Sequence, residues 1–133
     1  MLTDVQKKWV EALRSGKYAQ TKERLCRMTP EGPAFCCLGV LCDLYIQKHP
    51  GQAGWDDPLH DRLGVYIPLS LGGRVYGSAL PAEVCTWAGV TCANGVHGNT
   101  SLWAANDSGT DFQAIADLIE SEPEGLFVEA EDE

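Results

Sequence analysis

Apolar positions recur along this chain with two different periods. In the opening stretch LTDVQKKWVEALRSG, Val5, Trp9, Ala12 and Leu13 fall at helical spacing and predict an amphipathic helix. Thr3 and Gln6 form a capping box at its start, and Gly16 stands where a left-handed residue ends a helix. KERLCRM, the turn TPEG and AFC then predict a short hairpin. CLGVLCDLYIQKH, from Cys37, is apolar nearly all round: Leu38, Leu41, Cys42 and Tyr45 line one side, Val40 and Leu44 another. That is the pattern of a buried central helix.

Residues 49–63, rich in Gly, Pro and Asp, read as loop. GVYIPLSL and RVYGSA read as strands around Gly72-Gly73. LPAEVCTWAG predicts a short helix with Pro81 in its first turn and Gly89 past its end. Asn94-Gly95 in VTCANGVHG is a hairpin signal, and NDSG reads as an Asx turn. It leads into GTDFQAIADLIE, a helix capped by Thr110 and Gln113, with Phe112, Ile115, Ala116 and Ile119 as its inner stripe. No window approaches 18 uncharged apolar residues, so no membrane span is expected. The N-terminus is too polar for a signal peptide. The expectation is one compact α+β domain over residues 1–121, with about four helices and short antiparallel strands, followed by a tail, residues 122–133.

Charge sharpens this picture. The chain carries 10 Lys and Arg against 19 Asp and Glu, a net −9. Seven of those acids, and no base, lie in residues 120–133, ESEPEGLFVEAEDE, a segment expected to be solvated. Seven of the bases lie between Lys7 and Arg27, opposed there by Glu11 and Glu23 alone. The body as a whole is not basic, which argues against a duplex nucleic-acid partner. The basic segment has two readings, a solvated helix face or an anion site. For an anion site the residues are Lys17, Lys22, Arg24 and Arg27, with Trp55 stacking nearby. Trp55 is singled out because its surroundings, GQAGWDDP, are polar and give a core role little support.

Three of the six cysteines fall in AFCCLGVLCDLYIQ. The spacings Cys37-x₄-Cys42 and Cys85-x₆-Cys92 do not match the paired spacing of a zinc site, and a reducing setting argues against disulfides. Cys36 or Cys37 at a helix start is placed where the dipole lowers a thiol's pKa. With His97 as base and Asn106 or Asp107 as orienting group, either would complete a nucleophilic constellation. The competing reading makes Cys37 and Cys42 small buried hydrophobes.

The blocks KKWVEALRSGKYAQ, FCCLGVLCDLY, LPAEVCTWAGV and LWAANDSGTDFQAIADLIE together resemble a family of small bacteriophage and prophage proteins. The resemblance runs from about residue 7 to residue 120. It implies phage origin and the host cytoplasm, and it supplies no catalytic set. Thr21-Lys22-Glu23 departs from it, standing where a glycine turn is expected. Two functions are weighed. The first is a non-enzymatic accessory protein, acting against host defence by sequestering a nucleotide-like signal or binding a host protein. The second is a Cys-dependent hydrolase or transferase using Cys36 or Cys37 with His97 and Asn106 or Asp107. No cofactor and no membrane partner is expected, and self-association is left open.

Overall fold

A computed structural model describes residues 2–128. The elements run α1 (Asp4–Arg14), β1 (Ala19–Gln20), β2 (Cys26–Thr29), β3 (Gly32–Phe35), α2 (Cys37–Lys48), β4 (Ala53–Trp55), β5 (Leu59–Asp61), β6 (Gly64–Tyr66), β7 (Leu69–Leu71), β8 (Arg74–Tyr76), α3 (Ala82–Ala88), β9 (Val96–His97), β10 (Thr100–Ser101), α4 (Leu102–Asp107) and α5 (Phe112–Glu120). A five-stranded sheet has the order β1-β3-β2-β6-β5, a three-stranded sheet the order β4-β7-β8, and β9 pairs with β10. All pairs are antiparallel except β1 with β3. The result is a single compact α+β domain. No helix among the described residues is long and apolar enough to cross a membrane.

Helix α1 begins as its pattern requires. Thr3 and Gln6 complete a reciprocal capping box, and Gly16 takes a left-handed φ of 77°. Trp9, Val10 and Leu13 are buried, and α1 packs on α5 through the stripe Phe112, Ile115, Ala116 and Ile119. On the outer edge of that seam Arg14 reaches Asp117 and Glu120 of α5.

Helix α2 is the centre of the molecule. Cys37, Leu38, Val40, Leu41 and Cys42 are wholly buried, and α2 touches α1, α3, α4, β3 and β4. Its closest approach is backbone to backbone. A Cβ on Gly39 would lie 1.8 Å from the Leu25 carbonyl oxygen, so only glycine fits.

Several local expectations give way to longer-range pairing. The segment 49–63 is not all loop, because β4 pairs with β7 and β5 with β6. GVYIPLSL is two strands in different sheets, since Pro68, which has no N–H to donate, falls between β6 and β7. The hairpin near Asn94-Gly95 turns instead at Gly98-Asn99, between β9 and β10. Asn106 and Asp107 belong to α4, capped by Ser101, and α5 is capped by Asp111 rather than Thr110. Glu23, in the stretch that departs from the glycine turn, adopts a left-handed φ of 67°, and its N–H donates to Asp107 Oδ1 at 2.9 Å. The acidic segment is anchored as far as Val128. Leu126 is fully buried, the Thr91 N–H donates to the Leu126 carbonyl, and the Val128 N–H donates to the Gly89 carbonyl. Residues 129–133 of the expected tail lie outside the described residues.

The Gly39 contact carries a prediction. Gly39→Ala should lower unfolding free energy by about 3 kcal/mol, the upper range for overpacking a rigid core, as measured by urea unfolding. A loss below about 1 kcal/mol would mean that the helix can shift away from Leu25 cheaply.

Candidate functional site

The start of α2 lies inside the protein, where side chains take up N–H groups of its first turn. Asn106 Oδ1 accepts from the Cys37 N–H at 3.1 Å, Cys36 Sγ accepts from Gly39 N at 3.3 Å, and the Cys36 carbonyl accepts from Val40 N. Cys36 is thus the N-cap, a place where serine or aspartate is commoner. Asn106, wholly buried, uses its entire amide. Its Oδ1 also accepts from Gln20 Nε2 at 2.9 Å, and its Nδ2 donates to the Thr21 carbonyl at 2.7 Å and to Asp107 Oδ1 at 3.4 Å.

Cys36, Cys37, Asn106 and Asp107 therefore meet at one place. His97 stands apart on β9, and its buried Nε2 has no hydrogen-bond partner among the described residues. Cys37 Sγ instead donates to the Leu102 carbonyl at 3.6 Å. Burial pushes the Cys36 thiol up to about 12 and that of Cys37 well above its ordinary value, so both are protonated at neutral pH. All six cysteines are free thiols, and no group of three or more metal-binding side chains occurs among the described residues.

The basic segment is also engaged internally. Arg24 Nε and Arg27 Nη2 both donate to Asp61 Oδ2, at 2.9 and 3.0 Å. The Arg27 hydrogen bonds are the main reason the Asp61 carboxyl lies well below its usual range. The Arg24 guanidinium lies 3.8 Å above the Tyr66 ring centroid, and Arg27 is buried. Trp55 packs on Phe35 with centroids 5.6 Å apart, and its indole N–H donates to Asp43 Oδ1 at 3.0 Å. The same carboxylate accepts from Tyr18 Oη at 2.6 Å. Lys17 and Lys22 are exposed, and of the five residues read as an anion site only Lys17 lines a cavity described below.

That cavity is a groove between α1 and α2. Its first part, about 470 Å³, is lined by Asp4, Val5 and Lys8 of α1, by Leu44, Gln47 and Lys48 of α2, and by Trp87 of α3. Its second part, about 600 Å³, shares Lys8, Leu44 and Gln47 and continues past Glu11 to Lys17 and Tyr18. The α1 residues recur at helical spacing, so one face of the helix forms the wall. Trp87 is fixed edge-on to Tyr45 and His49, with centroids 5.3 and 5.6 Å away. Apolar lining from Val5 and Leu44, a held indole and three lysines can bind an anion that carries a planar ring. The sequence places Lys8 only within the basic segment and singles out neither Lys48 nor Trp87. Nothing local marks them, because three separate helices bring them together.

The chain belongs to the family described as a domain of unknown function, DUF8296, whose model matches residues 1–123. No curated protein and no solved structure matches it.

The burial of the thiols yields a clear expectation. In the folded protein a disulfide-exchange reagent such as dithiobis-nitrobenzoate should label only the half-buried Cys85 and Cys92, the other four reacting after denaturation. Rapid labelling of Cys36 or Cys37 in the native state, located by peptide mass mapping, would contradict the description of the α2 start.

Proposed function

We propose that this chain is a non-enzymatic binding protein that holds a small anionic, ring-bearing ligand of nucleotide class in the groove between α1 and α2. In this reading it serves a phage or prophage as an accessory factor in the host cytoplasm, where it withdraws a nucleotide-like signal from host defence. The phage setting rests on the sequence blocks that resemble phage proteins. The binding role rests on one observation, the groove whose lining brings Trp87 together with Lys8 and Lys48. Thiol chemistry is the weaker reading because the thiols of Cys36 and Cys37 are buried, protonated and already bonded as structural groups.

Lysine ammonium groups attract phosphate from any direction as point charges. An indole face adds about 1–3 kcal/mol per stacked base. This reading rests on the groove rather than on Arg24, Arg27 and Trp55, which hydrogen-bond to Asp61 and Asp43.

Titration of the protein with 5′-AMP by calorimetry tests this. The parent should bind, and the Lys8→Ala/Lys48→Ala double variant, altered only in side chains at the rim, should bind at least tenfold more weakly with an unchanged melting temperature. Binding that the double variant retains in full would remove the groove from the reading. No binding of AMP by the parent would overturn the nucleotide reading and leave a host protein as the partner to seek.

A further inference from the structure

The groove has two parts, and both have an aromatic wall. Trp87 lines the first and Tyr18 the second, while Lys8 lines both. Each part also has a lysine of its own, Lys48 in the first and Lys17 in the second. Each part therefore holds one ring and two lysines, Lys8 being common to both. Each part falls within the usual size of a small-ligand site, so a single nucleotide would fill one and leave the other empty. From Val5 to Ser15, ten residues of α1 at 1.5 Å per residue give a wall about 15 Å long.

Resting on the reading above, we propose that the ligand is a dinucleotide, two bases joined by a phosphodiester, with one base at Trp87, the other at Tyr18 and the linking phosphate at Lys8. Both rings are held before any ligand arrives. Trp87 stands against Tyr45 and His49, and Tyr18 stands edge-on to Phe35 at 5.2 Å with its hydroxyl donated to Asp43. Little side-chain freedom remains to be lost on binding, which favours affinity. Two acids line the same wall, Asp4 in the first part and Glu11 in the second. They leave the three lysines a modest excess of one positive charge, enough for a phosphodiester, and their oxygens accept hydrogen bonds from ribose hydroxyls or base amino groups.

The comparison is between 5′-AMP and the linear dinucleotide pApA, which adds one nucleoside and one phosphodiester to the same 5′-nucleotide. Calorimetry of the full chain should show pApA binding at least tenfold tighter than AMP. Lys17→Ala, an exposed change at the second part alone, should weaken pApA at least fivefold and leave AMP unchanged. Tyr18→Leu should act in the same direction, provided its melting temperature shows that the fold persists. Equal affinity of the parent for AMP and pApA, or a Lys17→Ala effect that is absent or the same for both, would overturn the dinucleotide assignment while leaving the single-nucleotide reading intact. Failure of both probes to bind would overturn both.

Discussion

Everything in this molecule is arranged around a helix that starts inside it. A helix N-terminus leaves its first N–H groups without intrahelical partners, and water cannot supply them when the start is buried. At α2 the side chain of Asn106 serves the Cys37 N–H, the thiol of Cys36 serves the Gly39 N–H and the Leu25 carbonyl serves the Cys36 N–H. Asn106 is the costliest of these to lose. Its amide spans three parts of the chain, the β1 end at Gln20 and Thr21, the α2 start at Cys37, and its own helix α4. Each buried polar group left unpaired costs about 1–3 kcal/mol, a large share of a typical domain's stability.

The cysteines and the glycine follow from that constraint. Cys36 caps the helix, Cys37 donates to Leu102, and Cys42 fills space in the core. Gly39 lets α2 settle against the Leu25 backbone, which in turn accepts the Cys36 N–H at 3.2 Å. With α2 fixed in this way, α1 and α3 pack beside it, and the groove is the gap their side chains leave. The candidate site is thus a by-product of how the core is held, and its two rings inherit their rigidity from it.

How much of this the sequence shows depends on how local the cause is. Helix α1, the β2–β3 hairpin, α2 and the stripe of α5 are legible, because periodicity and a few turn residues decide them. Gly72-Gly73 likewise marks the β7–β8 hairpin. The strands β4 and β5 are not legible, since AGW and LHD have little strand character of their own and form only against β7 and β6. Asn106 and Asp107 looked like a turn because the partners that give them meaning lie 69 to 86 residues away. Arg24 and Arg27 looked free for the same reason, their carboxylate being 37 and 34 residues distant. A thiol as N-cap is uncommon enough that a cysteine there reads first as chemistry. Leu126 is a case where the signal was present, a short apolar run inside an acidic segment, and the surrounding charge outweighed it.

The most direct test of this account is the stability of Asn106→Ala in urea. Removing the amide strands the Cys37 N–H and the Thr21 carbonyl in the interior. The expected loss is about 3 kcal/mol or more, with little change in the slope against urea. A loss under about 1 kcal/mol would show that the buried start of α2 is satisfied in some other way, and that the core is not organised around Asn106.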